Sequence, residues 1–369
     1  MPGLHVLMTA DAVGGVWQYA LDLTRGLTER GATVTLAVLG PEPDSEKSRA
    51  AGAIEGCRVA VTRLPLDWMA GSAREVTDSS EELASLAAFT GADVVHLHSA
   101  ALAATGEFTA PTVAVCHSCV STWWNAVGTG PLPDEFGWQR DLMAAGLRKA
   151  DALLAPTAAF ADVTARAYGL QSAPAVVPNG RRSRPPSPDL DAAPFVFTAG
   201  RLWDRAKNVA TLDRVAARLS VPVLAAGALQ GPNGDSVRVE AIHTLGQLAD
   251  AAVGAQLDRW PIFVSLARFE PFGLAVLEAA QAGCPLVLAD IPTFRELWDG
   301  AAHFVPADDD GAIAAAIDRL AADGEARRRL GAAASQRSAR YTVGAMTEGV
   351  LAVYRSLGSD RDASAMVAA

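Results

Sequence analysis

Short, largely apolar runs alternate with amphipathic stretches through most of this chain. Residues 4–10 (LHVLMTA), 33–39 (TVTLAVL), 57–64 (CRVAVTRL), 93–98 (DVVHLH), 111–117 (PTVAVCH), 152–156 (ALLAP) and 174–178 (PAVVP) predict buried strands. Helical patterns fall from about Val16 to Arg30 and near 77–90, 134–149 and 157–167. A second series opens at 194–200 (PFVFTAG) and continues through 222–227 (PVLAAG), 243–246 (HTLG), 263–267 (FVSLA) and 284–289 (CPLVLA), again with helices between. Such alternation predicts parallel sheets covered on both faces. The stretch GRRSRPPSPDLDAAP, residues 180–194, has no periodicity and reads as a solvated linker. The expected organisation is an α/β chain with a doubly wound domain at 1–180, a linker at 181–194 and a second such domain at 195–340. A helix at 341–357 and a disordered tail at 358–369 close it.

Ligands of doubly wound sheets gather at the carboxyl ends of the strands. Asp11-Ala-Val-Gly14-Gly15 follows the first strand and enters a helix; it is not a GxGxxG, so no nicotinamide cofactor is indicated. A plain tight turn would use the two glycines equally well. His98 and His117 end two further strands, and His96 reads as core. The segment 118–125 (SCVSTWWN) reads as a loop carrying Trp123 and Trp124, whose faces could stack on a sugar or pack on their own domain; Trp17 and Trp68 could approach the same place. In the second series Arg201 ends a strand and Lys207-Asn208 begins a helix. Two cations at that spacing can converge on one anion, and each is worth about 4 kcal/mol at about 4 Å from a phosphate with an effective dielectric near 20. An ion pair with Asp204 or Asp213 would suit either one singly.

The richest stretch is 263–289, FVSLARFEPFGLAVLEAAQAGCPLVLA: strand, loop, helix, strand. The helix is apolar almost all round, yet Glu278 sits in its middle. A carboxylate there needs donors, either from a ligand or from the protein, as in a buried helix whose Glu278 pairs with a local arginine. At the helix start Phe272, Gly273 and Leu274 would leave N–H groups for a phosphate. Glu270, beside an anion, makes sense if it faces an uncharged part of the ligand such as sugar hydroxyls.

Glu270-Pro-Phe-Gly-Leu with Glu278 resembles the E-x7-E signature of retaining glycosyltransferases of family 4, which have the GT-B fold. The resemblance implies two facing Rossmann-like domains with parallel sheets and an interdomain cleft, assembled by closure. It implies that Glu270 contacts the donor sugar, Glu278 holds ribose, Arg201 and Lys207 neutralise the diphosphate, and His117 lies near the sugar 6-hydroxyl. Gly14-Gly15 would line the diphosphate and acceptor side, Gly246-Gln247 the base, and Phe272, Gly273 and Leu274 the phosphate; Trp17, Trp123 and Trp124 are the candidate acceptor contacts. The implied reaction retains anomeric configuration, with front-face departure of the diphosphate. No resident cofactor or metal is implied; the donor is a nucleotide sugar, UDP-glucose by commonness in the family, and the acceptor a small molecule or glycan. The family often places an acid after PNG, whereas here Pro178-Asn179-Gly180 is followed by Arg181-Arg182, which puts any contact carried over there in doubt.

Composition narrows the remaining classes. Lys and Arg total 31 against 41 acids, a net charge of −10, which argues against general nucleic-acid or anionic-membrane binding. No apolar run reaches about 18 residues, and the N-terminus lacks a basic start and cleavage site, so a cytoplasmic protein without a transmembrane segment is expected. Cys116 and Cys119 have CxxC spacing, but Cys57 and Cys284 lie far off, so free thiols are expected. Asp308-Asp309-Asp310 reads as a helix cap rather than a metal site. Arg295-Glu296 reads as a helix start with a structural role. A nucleotide-sugar epimerase of the same fold, a phosphorylase and an inactive nucleotide-sugar-binding protein are the rival functions. Oligomeric state is not legible.

Overall fold

The computed structural model describes residues 3–182 and 193–368. The chain divides into two compact units, residues 1–180 with 343–369, and residues 181–342.

In the first unit the described strands are β1 (His5–Asp11), β2 (Thr33–Leu39), β3 (Cys57–Val61), β4 (Val94–Leu97), β5 (Thr112–Val115), β6 (Ala152–Ala155) and β7 (Ala175–Val176). They form one parallel sheet of order β3-β2-β1-β4-β5-β6-β7. The order reverses between β1 and β4, which opens a crevice at their carboxyl ends. The helix Gly15–Thr28 covers the sheet, and the closing helix lies against it: Met346, Val350, Leu351 and Tyr354 join Val6, Met8, Leu23 and Leu27 in one core. Gly26 permits this approach, since a Cβ there would stand 2.0 Å from Thr347 Oγ1.

Three expectations are corrected in this unit. The closing helix spans Val343–Ala368, so its backbone stays helical through the segment expected as a disordered tail. The paired tryptophans lie on a helix, Val120–Val127, not a loop, because Cys119 caps it by accepting the Thr122 N–H. Trp17 is only 4% exposed and packs in the core, so its ring cannot meet an acceptor.

The second unit contains β8 (Val196–Ala199), β9 (Val223–Ala226), β10 (His243–Thr244), β11 (Ile262–Ser265), β12 (Leu286–Ala289) and β13 (His303–Val305). Its parallel order is β10-β9-β8-β11-β12-β13, with the reversal between β8 and β11. Phe197, Phe263, Leu277, Leu286, Phe294 and Trp298 build one face of its core. Val196, Val264, Val287 and Ile317 build the other. Arg181 belongs to this unit, bridging Thr342 through its backbone, and its side chain is 11% exposed rather than solvated. Most of the expected linker, 183–192, lies outside the described residues.

Arg295 and Glu296 lie within the helix Pro292–Trp298, which begins earlier because Pro292 suits its first turn. Asp309 caps the helix Asp310–Ala322 through the Ala312 N–H at 2.9 Å, while Asp308 pairs with Arg268 and Asp310 with Arg214 and Arg218. All four cysteines are free thiols. No described helix is long and apolar enough to cross a membrane.

Candidate active site

The second unit brings its charged candidates to the β8/β11 reversal. After β8 the chain turns through Gly200-Arg201, then through the one-turn helix Arg205–Lys207. Asp204, nearly buried, organises this loop: one carboxylate oxygen accepts the Ala206 N–H at 2.9 Å and the other accepts Arg201 Nη2 at 3.0 Å. The Arg201 guanidinium also lies 5.6 Å from the Trp203 ring centroid. After β11, Arg268 N–H donates to the Ala206 carbonyl at 2.9 Å, fastening the 266–270 loop to the Lys207 turn. That fastening sets Glu270 against Lys207, and the two form a direct ion pair. Asp213 is no partner for either cation: it accepts the N–H groups of Glu240, Ala241 and Ile242 at 2.9–3.0 Å.

Lys207, Glu270, Gly200, Thr198, Ser265 and Gly273 line one small pocket there. Gly273 precedes the helix Leu274–Gln281 in the left-handed region, φ 89°, and no side chain caps that end. A Cβ on Gly273 would sit 3.3 Å from Glu270 Cγ and 3.1 Å from the Phe294 ring. Glycine is therefore required twice, for its torsion and for the space beside Glu270. The result is a positive helix end beside a lysine and a carboxylate, able to hold an anion and a neutral polar group together. The Phe272 ring is buried edge-on against Tyr341, 5.6 Å between centroids, which leaves only its main chain to serve a ligand. Leu274 is partly buried on the first turn. Gly246 and Gln247 are exposed beyond β10, where the Gly246 carbonyl accepts the Gly227 N–H at 2.8 Å.

Glu278 has found a protein cation. Arg181 Nη2 lies 2.6 Å from its Oε1, and the glutamate side chain is 24% exposed. Sequence reasoning placed Arg181 in the linker and missed this contact; its signal was the basic residue standing directly after Pro178-Asn179-Gly180.

The first unit gathers a different set at its β1/β4 reversal. Gly14, with extended backbone torsions, starts the helix Gly15–Thr28, and neither glycine needs a left-handed torsion. Asp11 at the end of β1 accepts the Val13 N–H at 2.7 Å and Trp68 Nε1 at 3.4 Å. His117 Nε2 and His98 Nδ1 share a hydrogen bond of 3.1 Å, and their rings stack. Tyr19 meets both edge-on, at 4.7 Å from His117 and 5.2 Å from His98. Burial lowers the His117 pKa to about 4, so the imidazole is neutral at physiological pH. Behind them His96 Nδ1 bonds the Tyr354 hydroxyl at 2.7 Å, and burial lowers its pKa to about 3. Neither Tyr19 nor Tyr354 was singled out by sequence. Trp124 Nε1 donates to the carbonyls of Gly130 and Pro131 in the loop after its helix, and its ring packs on Phe136; Trp123 and Trp124 are both partly exposed. Among the described residues, no group of three His, Cys, Asp or Glu side chains is placed to hold a metal ion.

Comparison with known proteins matches this division. Residues 13–182 fit the model for Glycosyltransferase Family 4 and residues 237–337 that for Glycosyl transferases group 1. The lipopolysaccharide core biosynthesis mannosyltransferase LpsB of Rhizobium meliloti is 30% identical over 249 residues, 60% of this chain and 69% of that protein. A phosphatidyl-myo-inositol mannosyltransferase of Mycobacterium leprae is 33% identical over 124 residues; that match spans only 33% of either protein. Among solved structures, the sucrose-phosphate synthase of Thermosynechococcus elongatus superposes with a TM-score of 0.79 over 97% of this chain and 100% of that one, at 18% identity, and so shares the fold. With both halves matched, and with LpsB covered over two thirds of its length, the chain belongs to glycosyltransferase family 4, of the GT-B type.

Proposed function

We propose that this chain moves a hexosyl group from a nucleoside diphosphate sugar to an acceptor hydroxyl, with retention at the anomeric carbon. The observation that carries the reading is the convergence of Lys207 and Glu270 at the β8/β11 reversal, beside the uncapped helix at Gly273. Breaking the bond between the anomeric carbon and the diphosphate leaves negative charge on the phosphate, and a preorganised lysine and helix end stabilise charge that develops there. Arg201, tied to the same loop through Asp204, is the second cation for that role. Glu270 then accepts from sugar hydroxyls once Lys207 turns to phosphate, and Glu278 accepts from the ribose diol. The acceptor oxygen attacks from the face the diphosphate leaves, and the acceptor proton passes to the departing phosphate oxygen. His117, held neutral, is suited to a hydrogen bond with the sugar, and Trp123 remains the aromatic candidate for the acceptor.

The names of the relatives favour a mannosyl or related hexosyl donor, so GDP-mannose belongs beside UDP-glucose in the first trial. The test is calorimetry with UDP, GDP and ADP, followed by NMR of the product from the matching sugar donor. Binding together with a product of retained configuration is expected. Conversion of the donor without any acceptor would instead indicate an epimerase, and an inverted product would exclude the front-face reading.

A further inference from the structure

We infer that Arg181 is a positioning residue for the nucleotide, holding the Glu278 carboxylate ready for the ribose diol. The inference rests on the proposed role of Glu278 and adds to it a residue outside the E-x7-E segment. Arg181 is fixed at several points. Its N–H donates to the Tyr341 carbonyl at 3.2 Å, its own carbonyl accepts Gln281 Nε2 at 3.3 Å, and its guanidinium reaches Glu278 at 2.6 Å and the exposed Asp250 at 3.4 Å. Glu278 and Gln281 are three residues apart on the helix Leu274–Gln281 and so share a face. That one face grips Arg181 by both its main chain and its side chain.

The consequences for a ligand are physical. Glutamate has many rotamers to lose, and a carboxylate already held by a fixed arginine loses fewer of them when the ligand arrives. A carboxylate has about four acceptor positions, so a guanidinium and a diol can both be served. The arginine also offsets a negative charge that would otherwise repel the nearby diphosphate. An acid at position 181 would do the opposite.

The experiment measures calorimetric affinity for whichever of UDP, GDP and ADP binds the wild-type chain most tightly, and for its 2′-deoxy counterpart. Arg181→Ala should weaken the ribonucleotide about tenfold or more and draw the ribo-to-deoxy affinity ratio toward one, and Arg181→Lys should recover part of both. Unchanged or tighter binding by Arg181→Ala, or weaker binding with the ratio intact, would overturn the inference. Should Arg181→Ala not fold, Arg181→Gln and Arg181→Lys are read against the same ratio. Glu278→Ala separates the two levels: if it keeps wild-type affinity and ratio, the ribose reading itself fails. If it loses them while Arg181→Ala does not, only the role of Arg181 falls.

Discussion

The two units run their first strands in the same order, reverse direction at the same place, and put opposite chemistry there. At the β1/β4 reversal the first unit stacks His98 and His117 with Tyr19, a neutral and largely buried aromatic group. At the β8/β11 reversal the second unit sets Lys207 against Glu270 and Arg201 against Asp204. One topology thus carries two sites, because the crevice follows from strand order while its chemistry follows from the loop residues. In the charged site, a carboxylate holds each cation. In the neutral site, burial lowers the pKa of each histidine and so favours the uncharged ring.

Substitutions can break this contrast, and the largest effect should fall on stability. Trp17→Ala removes a core side chain beside the Gly14-Gly15 turn and should cost about 3–5 kcal/mol by denaturant unfolding. Trp123→Ala should cost far less, and equal losses would show that the first unit's tryptophans are not divided between core and surface as described.

Lys207→Ala should lower turnover about 10²–10³-fold with the circular dichroism spectrum unchanged, as for other groups that meet developing charge. Near-normal turnover would remove the second unit's claim to the leaving group. Gly273→Ala should reduce both stability and turnover, the strain at φ 89° costing about 1–3 kcal/mol. A fully stable variant with normal turnover would mean that the turn beside Glu270 tolerates a side chain.

The smallest expected effect is on pH dependence, and it belongs to the neutral site. His96 and His117 have folded pKa values of about 3 and about 4 against an ordinary 6.5, so in the intervening range the unfolded chain binds more protons. Their contribution to stability is complete above pH 6.5 and declines as the pH falls, to about 4 for His117 and about 3 for His96. Melting temperature should therefore drop between pH 7 and pH 5, and less steeply in His96→Leu. An identical slope in that variant would show that other groups govern the decline.

The alternation of apolar runs with helical periods was enough to place nearly every strand within a few residues, because a strand buried on both faces must be apolar throughout. Local chemistry was legible too: Asp309 as a cap, Gly273 at a turn, and Glu278 as a carboxylate in need of a donor. None of these required knowledge of distant residues. Which donor reached Glu278 was different, since Arg181 and Glu278 are far apart in the chain and meet only when the backbone at Arg181 bridges Thr342. The burial of Trp17 and the bond between Tyr354 and His96 arose likewise, from helices packing on one sheet. Periodicity reports which way a side chain faces, but the identity of its neighbour is a long-range contact that only the folded chain supplies.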